Sequence, residues 1–177
     1  MIELILISCS LLIFIVYNVL VMTKYNLQTS LSASYYVLPK NLCWLFTAMM
    51  WLCAGLLMPA WINLADSFSD WRTYLTVLTF LTCALICFTG AAPHFRGCEL
   101  ESKVHTISAT TAAITALLWC FIVGWQIIYI PIIVIAIVIT ISVLTKTLKS
   151  CLTYWLEMMA FGATYSTVIA YSIMNLC

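Results

Sequence analysis

Residues 127–145 read IIYIPIIVIAIVITISVLT, without a charged side chain, an amide side chain or a glycine. By propensity alone, so many β-branched residues would favour a strand. Solvent decides otherwise. An apolar stretch of about 20 residues is what a helix needs to cross roughly 30 Å of hydrocarbon. In lipid every backbone N–H and C=O must be paired internally, which a lone strand cannot do. A β-barrel would show polar–apolar alternation, which this stretch lacks. Residues 127–145 are therefore expected to form a transmembrane helix that faces lipid on most sides.

The same test, worked outward, finds five more segments: 2–22, 41–62, 73–92, 106–124 and 151–174. The expected fold is an all-α integral membrane protein, a single domain over 1–177 built as a bundle of about six transmembrane helices. Composition supports this. The chain is 65% hydrophobic and 7% charged, against about 25% charged residues in soluble domains. Seven basic and six acidic residues cannot cover a soluble surface of 177 residues. Segment 2–22 carries only Glu3 as a charge and is followed by no small-x-small cleavage site, so it is read as the first span and not as a signal peptide. The two-residue turn 125–126 and the short link 146–150 make spans four, five and six antiparallel neighbours.

Charge sets the partners and the orientation. Net charge is +1 with no basic patch, so nucleic acid is excluded as a partner. The lipid bilayer is the first partner, with other membrane proteins or further copies of this chain next. Lys24 and Lys40 lie in the first loop, Arg96 and Lys103 in the third, Lys146 and Lys149 in the fifth. Only Arg72 falls in the second loop, and the fourth has no basic residue. The positive-inside rule then puts the odd-numbered loops in the cytoplasm and both termini outside. Trp44, Trp61, Trp71, Trp125 and Trp155 fall near predicted span ends, where indoles favour the interface.

Small residues mark the expected packing faces. Thr76, Thr79, Cys83, Cys87 and Gly90 share one face of span three, and Ser108, Thr111, Ala112 and Thr115 one face of span four. Such faces let backbones approach closely, which predicts that spans three and four pack together at the bundle centre. The nine cysteines include no Cys-x-x-Cys pair, so they read as small buried hydrophobes and not as a zinc site. A search for three helices repeated as three more finds no convincing match, which argues against inverted repeats.

Three places could carry chemistry. Glu157 lies about 10 Å along the last span, too deep for a short acid to reach water easily. Acids so placed usually face a bundle interior or a wet cavity. Thr153, Thr164 and Tyr171 share its face. A proton-titrating or ligand-pairing carboxylate is one reading; a span beginning near Leu156, with Glu157 at the interface, is the other. The third loop gathers His94, Glu99 and His105 with Cys98 and Glu101, all competent metal-ligand types. It has neither His-Glu-x-x-His nor His-x-x-x-His, so no metal and no cofactor is assigned; a solvated loop explains the same residues. The first loop carries Ser30, Ser32, Ser34, Tyr35 and Tyr36, for which a polar lid or partner-binding surface is one reading and caps and interface anchors the preferred one, with Asn41 as N-cap of span two. Asp66 and Asp70 are read as caps for span three. Phosphate loops, nucleophile elbows, haem-attachment motifs and Arg-rich voltage-sensor helices are all missing.

Ser32-Ala33-Ser34-Tyr35-Tyr36, Trp44-Leu45-Phe46, Met58-Pro59-Ala60-Trp61, Ala91-Ala92-Pro93-His94-Phe95 and Val104-His105 together resemble small uncharacterised polytopic membrane proteins of Bacteroidetes and their phages. That resemblance implies a bacterial or phage-encoded inner-membrane protein and transfers no catalytic residue. In helix number and a loop histidine the chain is also distantly similar to lipid-modifying hydrolases such as alkaline ceramidases. Those hold metal through histidines including His-x-x-x-His, a spacing this sequence lacks. The leading expectation is a non-enzymatic binding, scaffolding or modulatory membrane bundle. The alternatives are a lipid-modifying hydrolase using His94, Glu99 and His105, and a small oligomeric transporter or channel using Glu157.

Overall fold

The computed structural model describes residues 2–91, 99–123 and 127–175, with the side chains of 99–102 outside the description. Among the described residues there are seven helices and no strand. They are α1 (Ile2–Tyr25), α2 (Ser34–Val37), α3 (Trp44–Asp66), α4 (Arg72–Ala91), α5 (Glu99–Val123), α6 (Tyr129–Leu144) and α7 (Leu152–Met174). Helices α1, α3, α4 and the Lys103–Val123 part of α5 are long and apolar enough to cross a membrane. The decisive stretch, α6, is helical, but its 16 residues span about 24 Å, short of the roughly 30 Å expected of a crossing helix, so it is a shorter apolar helix and not one of these four. Pro131 sits in its first turn, where a helix N–H has no intrahelical partner to lose.

The outer surface is what lipid requires. Leu12, Leu52, Phe80, Phe88, Ile114 and Ile137 are all exposed on their helices. Helix α6 buries only Pro131 and Ser142, as expected of a member that faces lipid on most sides. It ends in a Schellman motif: Lys146 adopts φ 58°, its N–H reaches Val143 O at 3.0 Å, and the Thr147 N–H reaches Ser142 O at 3.1 Å.

Packing runs α1 on α3, α3 on α4, α4 on α5, and α5 on α7, while α7 also touches α1, α3 and α6. Spans three and four do meet, as α4 and α5, and the Thr82 hydroxyl donates to Thr115 Oγ1 across them at 2.7 Å. The centre, however, is α7 with α3. Each of these two helices buries ten residues, against seven on α4; small-residue stripes report close approach and not centrality. Helix α7 buries Thr164, Tyr165, Thr167, Tyr171 and Ser172. Its knot with α1 and α3 is a hydroxyl chain: Ser10 donates to Cys53 O at 2.9 Å and shares a 2.6 Å bond with Tyr165. The short connection before α6 does not make α5 its main neighbour, since α6 lies chiefly on α7.

Several local expectations are corrected. Asn41 is not an N-cap: α3 starts at Trp44 behind Cys43, with no side-chain cap, and the Asn41 carbonyl instead accepts from Trp44 Nε1 at 3.0 Å. Asp66 caps nothing; as the last residue of α3 it accepts from Arg72 Nε at 2.8 Å and ties α3 to α4. Asp70 accepts from the Ser69 hydroxyl at 3.4 Å. Trp61 and Trp155 are buried, unlike the exposed Trp44 and Trp71. Trp125 lies outside the described residues.

Close approach of α3 and α4 rests on Gly90. A Cβ there would stand 2.7 Å from Met50 Cβ and 3.3 Å from the Trp51 ring. Thr47 also donates to the Gly90 carbonyl at 2.8 Å. Gly90→Ala should therefore destabilise the bundle by about 1–3 kcal/mol, the usual range for overpacking. Thermal unfolding in detergent measures it; an unchanged midpoint would mean the two helices are free to move apart.

A cavity covered by the first loop

The first loop is not a solvent loop. After α1, Asn26 takes φ 63° and turns the chain back over the bundle. Leu31 is 3% exposed and belongs to the core. Three ties hold the segment down. The Thr29 carbonyl accepts from the Tyr154 N–H at 3.0 Å, one of the α7 first-turn donors that no helical carbonyl can serve. In return, Glu157 Oε2 accepts from the Leu31 N–H at 2.7 Å. Tyr17 and Ser34 share a 2.6 Å hydroxyl bond. Loop and helix end satisfy one another.

Of the two readings of Glu157, the late helix start is the one that does not hold. Helix α7 starts at Leu152, about 8 Å before Glu157, so the helix does not begin late. The residue is half-buried, and the first loop covers it. Of its predicted companions, Thr164 and Tyr171 are buried, whereas Thr153 is exposed. Among the described residues no basic side chain pairs with Glu157; the salt bridge present is Arg72–Asp66, from the opposite end of the bundle.

Behind this cover lies a cavity of about 60 Å³, room for roughly four to six waters at 10–15 Å³ of water-centre volume each. Glu157, Ala160, Phe161 and Thr164 of α7 form one wall, and Thr82, Ile86 and Thr89 of α4 another. The small side chains of α5, Ala109, Ala112, Ala113 and Ala116, make the space. Phe46, Met50, Leu57 and Trp61 of α3 line it too, and Leu31 with Ser32 come from the first loop. Sequence reasoning found Glu157 and Thr164 through their shared helix face. It missed Leu31, Thr89 and the alanines; the signal for Leu31 was an apolar residue set among serines, which a solvated loop does not need.

The other predicted residues do not join this site. Tyr171 lies about 21 Å further along α7, donates its hydroxyl to the Val123 carbonyl at the end of α5, and packs edge-on against Phe68 at 5.6 Å. It is a strut. Helix α5 begins at Glu99, so Glu99 and His105 belong to a helix and not to a loop. A ring N–H of His105 bonds the Thr89 backbone, while its Nδ1 is buried without a partner. His94 and the Glu99 side chain lie outside the described residues. Among the described residues no three His, Cys, Asp or Glu side chains converge to hold a metal.

No protein-family model matches the chain, and neither a curated protein nor a solved structure does.

Proposed function

We propose that this chain is a non-enzymatic, ligand-binding membrane bundle whose site is the cavity between α3, α4, α5 and α7. The observation that carries this is Glu157: a carboxylate without a basic partner among the described residues, on the wall of that cavity, under a folded-in loop. Intramembrane acids that face a cavity mark binding sites or ion paths far more often than they serve packing. The reading narrows the scaffold or modulator role to one with a small-molecule site.

Charge supports an orientation. Lys24, Lys40, Lys103, Lys146 and Lys149 gather at the end of the bundle where the first loop lies, and Arg72 at the other end is neutralised by Asp66. By the positive-inside rule the covered mouth faces the cytoplasm and both termini lie outside; a bacterial inner membrane is the setting the sequence resemblance implies. A C-terminal reporter that is active only outside the cytoplasm tests this, and inactivity would reverse the orientation.

The binding reading is tested by filling the cavity. A panel of small cationic, neutral and anionic compounds should include at least one that raises the melting temperature of the detergent-purified protein saturably. Ala113→Phe, which plugs the space from α5, should abolish that response while leaving helical circular dichroism intact. A response that survives the plug places binding elsewhere. A carrier is the second reading, favoured by the cover being a separate segment whose withdrawal would open the cavity to one side. Uptake into proteoliposomes that disappears in Glu157→Gln separates a carrier from a static binder.

A further inference from the structure

We infer that the cavity is a site for a small alkylammonium ion, its charged head on Glu157 and its hydrocarbon against the α4, α5 and α7 walls. This rests on the binding reading above and names its ligand class. The first argument is charge. An ionised carboxyl out of water either gains a counter-charge or takes up a proton. Among the described residues no counter-charge reaches Glu157, so a cationic ligand is what would hold it ionised. Glu157 Oε2 holds the Leu31 N–H, a neutral donor, which leaves the formal charge uncompensated and Oε1 open to a ligand.

The second argument is the hydrogen-bond sense of the wall. A threonine hydroxyl has one proton and two lone pairs. Thr89 spends its proton on the Leu85 carbonyl at 2.8 Å, Thr164 on Ala160 at 2.8 Å, and Thr82 on Thr115 at 2.7 Å. What these hydroxyls can still offer the cavity is lone pairs. Together with the carboxylate, these three hydroxyls favour a ligand that brings donors, and an ammonium head brings up to three. Ser32, also on the wall, shares a 3.0 Å bond with Ser30 in which either hydroxyl can donate. Trp61 has an uncommitted indole N–H, but it belongs to the far end of α3, away from the α7 start where Glu157 sits.

The third argument is size and apolarity. A space of about 60 Å³ has room for about four to six waters, and ethylammonium, with about three heavy atoms, fits inside it. A bare metal ion would want a full shell of oxygens, whereas most of this wall is Ala, Ile, Leu, Met and Phe. An anion would meet Glu157 with like charge.

The experiment compares ethylammonium, its neutral isostere ethanol and acetate on the full-length protein in detergent micelles, by ligand-observed NMR titration. Ethylammonium should bind at least about tenfold more tightly than ethanol, and acetate not at all. Glu157→Gln should weaken ethylammonium by about thirtyfold, the lower range for truncating a buried charge pair, and leave ethanol within about twofold. The wild-type comparison needs no variant, so it stands even where Glu157→Gln folds poorly. Ethanol bound as well as ethylammonium, with both displaced by Ala113→Phe, would overturn the ammonium assignment and keep the cavity as a binding site. Preference for acetate would also overturn it. If none of the three binds, the ammonium assignment fails, and a response of the wild type to other compounds that Ala113→Phe abolishes shows whether the binding reading survives.

Discussion

Trp61→Ala should cost the bundle about 3 kcal/mol, within the usual range for truncating a buried tryptophan. Trp61 and Trp119 are both 0% exposed, and their rings meet edge to face at 5.4 Å and 78°. Such aromatic pairs contribute about 0.5–1.5 kcal/mol. In a bilayer the usual transfer term is small, because a helix that leaves the bundle puts its indole into hydrocarbon and not into water. The cavity term remains: an opening of roughly 100 Å³ costs about 2.4 kcal/mol at 24 cal/mol per Å³. Neither indole N–H has a hydrogen-bond partner, so no bond is lost in the exchange and the effect is packing alone. Unfolding in mixed micelles followed by circular dichroism reads the change. Trp44→Ala, at a residue 56% exposed, should shift stability by less than about 0.5 kcal/mol. Equal losses at the two positions would mean that Trp61 is not a packing element.

The contrast between those two tryptophans shows what the sequence could tell. Trp44 and Trp61 lie near opposite ends of one predicted span, and by position both are interface anchors. Only α3 packing against α5 distinguishes them, because a ring at a helix end goes outward unless a neighbour presents a surface to receive it. The helices themselves were legible, since lipid leaves the backbone one solution and apolar length marks its extent. All six predicted segments match helices to within a few residues at most ends; the exception is α5, which starts at Glu99 and so takes in Glu99 and His105. That helix continues through Glu99, Glu101 and Lys103, charges that a hydropathy reading assigns to a loop although a helix can carry them beyond the hydrocarbon.

The site was half legible for a related reason. Glu157 stands out because an acid in an apolar helix is costly, and Thr164 because it recurs on the same face two turns later. Tyr171 continues that face and yet serves α5, since a helix face crosses different neighbours along its length. A lid in the first loop was legible as one reading of its serines and tyrosines, but the insertion of Leu31 was not. Its insertion depends on hydrogen bonds between residues separated by 126 positions in the chain, and nothing local encodes them. The alanines of α5 read as small-residue packing, and so they are toward α4; on the cavity side the same smallness leaves space.

Glu157→Ala should speed amide hydrogen exchange at Leu31 by roughly 10- to 150-fold while leaving the α3 core unchanged. The Leu31 N–H bond to a carboxylate oxygen at 2.7 Å is charge-assisted. Such bonds contribute about 1.5–3 kcal/mol, which is that factor in the opening equilibrium. The comparison is Tyr17→Phe, which removes the neutral 2.6 Å bond to Ser34; a loss of about 0.5–1.5 kcal/mol gives only a two- to tenfold rise. The order of the two effects matters because the ties are not equivalent. Tyr17 holds the far side of the loop, next to α2, whereas Glu157 holds the turn whose Leu31 covers the cavity. If Tyr17→Phe loosens Leu31 more than Glu157→Ala does, the cover hangs from α1 and not from α7. A ligand on Glu157 Oε1 leaves the Oε2 bond to the Leu31 N–H in place, so wild-type protein saturated with such a ligand should show Leu31 exchange no faster than the free protein. Faster exchange on binding would mean that the ligand takes Oε2 and displaces the loop.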